Sequence, residues 1–263
     1  FQECVVPYLE KLTSQVICSQ TVKICGVGES RAETIVKDLI DTQGNPTIAT
    51  YAKTGEVHIR VTANAEDKKD AMKLIKPVVK ELKSRFGNAV YSTEEECTLE
   101  KAVADLLTAN DLTVTCAESC TGGMLSARLV NVPGVSEVYK MGVVTYSNKA
   151  KRRLLGVKKN TLSKFGAVSA QTAQEMAKGA ALTFKADVAV AVTGIAGPDD
   201  GTAEKPVGLV YIACYVKGKA VVKEYHFSGN RGKIREATVA AALTLLRECI
   251  LEYYSKITFG KKE

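Results

Sequence analysis

Residues 117–123 read AESCTGG and directly follow the β-branched run TVTC. This turn places three possible nucleophiles, Ser119, Cys120 and Thr121, between a predicted strand and a glycine pair that opens a predicted helix. A nucleophile needs a base to accept its proton, and the chain has only two histidines. The turn therefore indicates nucleophilic catalysis with a base other than histidine, unless the glycine pair serves only close packing.

Lysine replaces histidine as the base where burial or a nearby positive charge lowers its pKa, as in Ser-Lys enzymes. The run TYSNKAKRR supplies Lys149 and Lys151 directly after a second predicted strand. Such a run is also typical of a solvated helix face, and the residue types alone do not choose between the two lysines. Cys120 has no imidazole nearby in the sequence, so we expect its thiol to pack.

Two further loops carry possible ligand-binding residues. TGIAGPDDG follows an apolar strand but lacks the G-x-x-x-x-G-K-[ST] pattern of a phosphate-binding P-loop. Its adjacent aspartates, Asp199 and Asp200, are typical of a turn that faces water, so we predict no metal site. SGNRGKIRE begins the last predicted helix with Arg231 and Arg235. Cations oppose the dipole at a helix N-terminus, which favours an anionic ligand there.

The elements that must position these loops alternate between helix and strand. Such alternation predicts an α/β fold, a three-layer α/β/α domain with a mostly parallel sheet and one antiparallel strand. Ligands in such sheets bind at the carboxyl ends of the strands, where the loops AESCTGG, TYSNKAK and TGIAGPDDG fall. The predicted elements are helix 99–109, strand 112–116, helix 121–130, strand 140–146, helices 148–154 and 169–184, strand 187–193, a hairpin of 207–216 and 219–227, and helix 230–254.

The first part of the chain predicts a separate small α+β domain. It contains strand 20–25, helix 31–40, a hairpin of strands 47–53 and 56–63, and helix 67–86. Residues 87–98 are interpreted as a linker. The predicted domains are therefore 1–95 and 96–263.

Composition limits the classes of protein to which the chain can belong. Apolar residues make up 46% of the 263 residues and charged residues 25%, as is usual in globular proteins. No apolar run approaches the roughly 20 residues that span a bilayer, so we expect no membrane partner. The eight cysteines include no C-x-x-C pair, which favours reduced thiols in a cytoplasmic protein. Residues 1–100 carry 13 Lys+Arg against 15 Asp+Glu and residues 101–263 carry 23 against 14, so the net charge of +7 comes from the second part.

The loops together, in this order, resemble the CinA C-terminal domain, which includes the nicotinamide-nucleotide amidases. The similarity runs from about residue 98 to 255 through TVTCAESCTGGMLSARLVNVPGVS, GVVTYSNKAKRRLLGV, GAVSAQTAQEMAKGA, AVTGIAGPDDGTAEKPVG and FSGNR. Residues 1–95 resemble the KH-like middle domain of full-length CinA proteins. The resemblance implies that their N-terminal molybdopterin-binding-like domain, and its pyrophosphatase activity, is missing from this sequence.

The resemblance implies hydrolysis of nicotinamide mononucleotide, a pyridine mononucleotide, to nicotinate mononucleotide and ammonia without a cofactor. It assigns Ser119 as the nucleophile and Lys151 as the base, with Tyr146 at the site, and either Arg231 or Arg235 on the 5′-phosphate. We expect backbone N–H groups of residues 120–123 to hold the oxyanion. The substrate-binding residues that we carry over are Thr121, Gly122, Gly123, Thr193, Gly194, Gly197, Arg231 and Arg235.

Two other functions stay open. One is a nucleotide-binding module without turnover, associated with competence or the DNA-damage response. The other is nucleic-acid binding through the basic second part, with a steep salt dependence. Binding by the KH-like domain is not expected, because its turn GVGES lacks the GXXG loop of nucleic-acid-binding KH domains and its charge is net negative. We also expect a homo-oligomer.

Overall fold

The computed structural model describes residues 1–10, 15–199 and 201–260, so Asp200 lies outside the described residues. The chain divides into two compact units, Phe1–Cys97 and Thr98–Glu263. Across the described part of the chain, no helix has the length and apolar character needed to cross a membrane.

The first unit is a four-stranded antiparallel sheet with two long helices. The strand order is β2-β3-β1-β4, and helices α2 and α3 pack on the sheet. Helix α3 contributes Ile75 and Leu82 to the core at helical spacing, and both are fully buried. Its elements are α1 Val5–Glu10, β1 Val16–Cys25, α2 Glu29–Asp41, β2 Thr47–Lys53, β3 Glu56–Ala65, α3 Lys68–Phe86 and β4 Val90–Ser92.

The sequence prediction contained no helix at α1 and differs from this unit in two strands. β4 lies within residues 87–98, which were interpreted as a linker, and it pairs with β1 through Ile24 and Val90. Three residues are too few to show the alternation that identifies a strand. Strand β1 begins at Val16 instead of residue 20, because its first residues pair with β3 while staying largely exposed.

The second unit is built on a five-stranded sheet in the order β6-β5-β7-β8-β9. β5 pairs in parallel with β6 and β7, whereas β8 pairs antiparallel with β7 and β9. Four of the five strands therefore run in one direction. The elements are α4 Leu99–Ala109, β5 Val114–Glu118, α5 Met124–Val130, β6 Tyr139–Val144, α6 Asn148–Leu155, α7 Lys159–Phe165, α8 Ala170–Phe184, β7 Val188–Gly194, β8 Leu209–Val216, β9 Lys219–His226 and α9 Arg231–Gly260.

Helices cover both faces of this sheet. α8 packs on β5, β7 and β8 and is flanked by α6 and α7, while α9 packs on β7 and β8 beside α4 and α5. α8 approaches α6 closely at Gly179, where an added Cβ would lie 1.8 Å from the Leu155 carbonyl oxygen. This tight contact fixes α6, the helix that carries Lys151.

The predicted α/β fold, with its mostly parallel sheet and small first domain, is confirmed.

Candidate active site

Glu118, the last residue of β5, binds the start of α5 with its fully buried carboxylate. The carboxylate accepts from the amides of Gly123 at 2.9 Å, Leu125 at 3.1 Å and Ser126 at 2.9 Å, and from the Ser126 hydroxyl at 2.6 Å. A carboxylate is favoured at this position by the helix dipole and the unpaired amides. The expectation that these amides serve a substrate oxyanion is therefore wrong for Gly123, because Glu118 already occupies them.

The turn between β5 and α5 depends on two left-handed glycines, Gly122 at φ +60° and Gly123 at φ +97°. They explain why α5 begins at Met124 instead of residue 121. The Gly122 amide donates to the Ser119 carbonyl oxygen at 3.1 Å. Four amides were expected at the oxyanion. Among the described residues, no carbonyl or carboxylate accepts a hydrogen bond from two of them, the amides of Cys120 and Thr121.

Ser119 and Lys151 are brought into direct contact. The Lys151 Nζ donates to the Ser119 Oγ at 3.0 Å and to the Thr145 carbonyl oxygen at 2.8 Å. The lysine is 1% exposed and the serine 9% exposed. Lys149, two residues earlier on α6, is exposed to solvent. Residues two positions apart on a helix face different directions. Burial therefore distinguishes the two lysines, between which the residue types alone did not choose.

Burial lowers the pKa of Lys151 to about 8. Within the part of the chain that the structure describes, no carboxylate forms an ion pair with this ammonium group. At a pKa near 8, about a tenth of the lysine is neutral at pH 7, compared with a negligible fraction for an unperturbed lysine. The side chain is therefore suited to accept the proton of Ser119.

Cys120 is buried beside this pair and is a poor nucleophile. Burial raises the pKa of its thiol to about 11, against the opposing effects of the nearby amides and of Lys151 and Arg235. The thiolate is the reactive form, and it is rare at such a pKa. This agrees with a packing role for the thiol.

Arg235, at the start of α9, holds the nucleophile turn. Its Nε donates to the Cys120 carbonyl oxygen at 3.0 Å, and its Nη2 donates to the Thr121 carbonyl oxygen at 2.7 Å. In a trans peptide the carbonyl and the following amide point in opposite directions. The contact with Cys120 therefore directs the Thr121 amide away from Arg235.

A second group of predicted residues gathers around Arg231. The guanidinium donates from Nη1 to the Gly197 carbonyl oxygen at 2.6 Å and from Nη2 to the Tyr146 hydroxyl at 3.2 Å. Both Arg231 and Tyr146 are exposed. Tyr146 directly follows Thr145, whose carbonyl binds Lys151, so the chain links this exposed group to the buried pair.

Two of the predicted binding residues, Thr193 and Gly194, are engaged in contacts within the fold. The Thr193 hydroxyl is buried and donates to the Ala167 carbonyl oxygen at 2.8 Å. At Gly194 an added Cβ would lie 2.6 Å from Val210 Cγ2, so the glycine permits the close approach of β7 and β8. The Thr121 hydroxyl, in contrast, is buried and makes no hydrogen bond to any described residue.

Comparison with known proteins identifies the family of the chain. The family described as CinA C-terminal domain matches residues 96–250, and the damage-inducible protein CinA KH domain matches residues 19–92. The chain belongs to the CinA family.

Relatives of this CinA chain include a Clostridium novyi (strain NT) protein named as competence-damage inducible, 51% identical over 94% of the chain and 59% of the relative. A CinA-like protein of Dictyoglomus thermophilum is 51% identical over 95% of the chain and 61% of its own length. The chain thus spans about three fifths of these relatives.

Two solved structures match a little over half of the CinA chain. The competence/damage inducible protein CihA of Agrobacterium tumefaciens is 48% identical, with a TM-score of 0.55, over 56% of the chain and 91% of its own. A CinA superfamily protein of Klebsiella pneumoniae is 36% identical, with a TM-score of 0.57, over 59% of the chain and 96% of its own.

Two residues of the CinA site were missed by sequence reasoning. Glu118 caps α5, and Thr145 supplies the carbonyl that binds Lys151. A signal existed for Glu118, because a charged residue at the end of an apolar strand is rarely buried without partners. No signal existed for Thr145, since any residue type offers a backbone carbonyl. Among the described residues, no group of three or more His, Cys, Asp or Glu is arranged to hold a metal ion.

Proposed function

We propose that this CinA chain hydrolyses the carboxamide of nicotinamide mononucleotide to nicotinate mononucleotide and ammonia. The observation that carries the proposal is the 3.0 Å contact between Ser119 Oγ and a buried Lys151 Nζ that has no carboxylate partner among the described residues. A serine paired with a lysine of lowered pKa is a known means of acyl transfer. The choice of substrate rests on the resemblance of the motifs to the amidases.

The reaction proceeds through an acyl-enzyme. Ser119 Oγ forms a bond to the amide carbon while its proton passes to neutral Lys151 Nζ. The carbon–nitrogen bond then breaks, and the lysine returns the proton to the departing ammonia. Water then attacks the ester carbon as the same lysine takes one of its protons. The lysine passes this proton to Ser119 Oγ as the ester C–O bond breaks, which restores the serine and releases the acid, and the acid ionises in water.

The turn supplies groups that fit the charge developed in these steps. The amides of Cys120 and Thr121 are suited to the oxyanion, and preorganised donors at such a position are a major source of rate enhancement. Arg231 is the candidate for the 5′-phosphate, because its guanidinium is exposed, whereas Arg235 is half-buried and binds two carbonyls of the nucleophile turn.

Ammonia release from nicotinamide mononucleotide tests the proposal. We expect release by the wild type, loss of turnover with retained nucleotide binding in Ser119→Ala, and near-normal turnover in the matched variant Cys120→Ser. If Cys120→Ser is inactive and Ser119→Ala is active, then Ser119 is not the nucleophile. Nucleotide binding by the wild type without ammonia release would instead indicate a binding module.

A further inference from the structure

The outer surface of α6 forms a basic groove with the start of α7. The groove has a volume of about 680 Å³. It is lined by five basic side chains together with one amide and one apolar residue, namely Lys149, Arg152, Arg153, Lys158, Lys159, Asn148 and Val157. No carboxylate lies among these lining residues. The opposite face of α6 carries the buried Lys151, so the groove is distinct from the candidate active site.

The five cations are unneutralised. All five are exposed, and within residues 15–199 and 201–260 none of them forms an ion pair with a carboxylate. The acidic side chain that contacts this region, Glu175, accepts from the Lys158 amide at 2.8 Å and the Thr161 hydroxyl at 2.8 Å instead. Arg152 and Arg153 are explained in part by the dipole at the end of α6. That explanation does not extend to Lys158 and Lys159, which begin the next helix.

We propose that this groove binds the phosphodiester backbone of a nucleic acid strand without reading its sequence. Five cations on one concave surface match a run of phosphates, whereas a single phosphate would engage only part of the groove. The lining contains no aromatic residue to stack on a base and no carboxylate to accept from one, so sequence selectivity is not expected.

Two other anionic partners fit the groove less well. A membrane surface is bound by basic residues accompanied by projecting apolar side chains. Here the apolar lining residue, Val157, is 2% exposed. A free nucleotide would need a pocket for its base, which these lining residues do not form. The location agrees with the net charge of +9 in residues 101–263, from 23 Lys+Arg against 14 Asp+Glu.

Fluorescence anisotropy of the full chain with labelled 20-nucleotide strands tests the proposal. One strand is oligothymidylate and the other is of mixed sequence, and both carry a 5′-hydroxyl so that a mononucleotide phosphate site is not engaged. We expect similar affinity for both strands. Five phosphate contacts on a single strand predict a loss of affinity of about 100-fold between 50 and 200 mM salt.

Variants assign the binding to the groove. Arg152→Gln/Arg153→Gln and Lys158→Gln/Lys159→Gln should each weaken binding and reduce the slope of log affinity against log salt by about 1.4. The matched control, Lys217→Gln/Lys219→Gln, removes two exposed charges from the turn between β8 and β9, at the opposite edge of the sheet from β6, and should leave binding unchanged. All three should keep the wild-type ammonia release, which separates this proposal from the proposed function.

Three results would overturn the proposal. They are no strand binding at 50 mM salt, equal weakening by the groove and control variants, and binding of inorganic triphosphate without binding of either strand. A clear preference for one of the two strands would also contradict readout through the backbone alone.

Discussion

Lys151 is the residue on which the proposed chemistry depends. Its ammonium group lies between the Ser119 hydroxyl and the Thr145 carbonyl, in a position where burial disfavours the charged form. Both oxygens accept hydrogen bonds from it, yet neither carries the negative charge that would raise its pKa. The same residue is therefore well held and easily deprotonated.

The pKa of Lys151 predicts how the rate depends on pH. Below about pH 8 the lysine is protonated and cannot accept a proton, so kcat should rise with pH through an apparent pKa near 8 and level off above it. An unperturbed lysine would place this rise at a pH of about 10.4. Single-turnover rates between pH 6.5 and 9.5 give the measurement without interference from product release. A rate that is flat or falls over this range would contradict the role of Lys151 as base.

The residue types of the site were available from the sequence, but their orientation was not. The turn AESCTGG and the run TYSNKAKRR identified Ser119 and two lysines, and only the family resemblance chose Lys151. Lys149 and Lys151 lie two positions apart on a helix and so face different directions. Which of them is buried depends on how α6 packs against α8, which is a tertiary contact and leaves no mark on the local sequence.

At the scale of elements, the Arg235 side chain links α9 to the turn that precedes α5. Arg235 reaches from α9 to two successive carbonyls of the nucleophile turn. Planar guanidinium groups hold two acceptors at once, which an ammonium group does less well. Arg235 is therefore a positioning residue for the turn, in contrast to the phosphate contact that the sequence suggested as one of two options.

This distinction predicts opposite kinetic effects for the two arginines. Arg235→Lys should lower kcat by about 10-fold or more with a smaller change in KM, because a shifted turn misplaces Ser119 and the Thr121 amide. Arg231→Lys should chiefly raise KM for the mononucleotide, since bidentate contact with a phosphate is lost.

Nicotinamide riboside, which lacks the phosphate, provides the control for both variants. Arg235→Lys should impair turnover of the riboside and the mononucleotide alike, while Arg231→Lys should leave the riboside unaffected. If Arg235→Lys raises KM for the mononucleotide alone, this arginine binds the phosphate and the positioning role is wrong.

The sequence predicted elements well where the pattern was long and less well where it was short. Helix α4 has the predicted bounds of 99–109, because its apolar periodicity spans three turns and Thr98 caps it through the Lys101 amide at 3.3 Å. Helix α7 was missed, since its seven residues show one buried side chain, Thr161. Strand β4 was missed for the same reason.

At the scale of the whole molecule, the chain combines two units that each have their own core. The core of the first unit is formed by α2, α3 and its antiparallel sheet. The residues of the candidate site all belong to the second unit. The fold class of both units was readable from the alternation of elements, whereas the role of the first unit in a CinA protein leaves no comparable motif.

Separate cores predict that the second unit functions by itself. The segment 98–263 should release ammonia from nicotinamide mononucleotide with a kcat within about 3-fold of the full chain, because every proposed catalytic group lies within it. Circular dichroism and gel filtration establish that the segment is folded. A folded segment without turnover would show that residues 1–97 contribute to the site.

The most direct test of the account replaces Lys151 by arginine. Arginine keeps the positive charge and stays protonated in proteins, so it cannot act as a base. We predict that Lys151→Arg lowers kcat by about 100-fold or more with substrate binding retained, which is the usual scale of general-base catalysis. The matched variant Lys149→Arg, on the exposed face of the same helix, should be nearly silent. Near-normal kcat in a folded, substrate-binding Lys151→Arg would contradict the Ser-Lys mechanism.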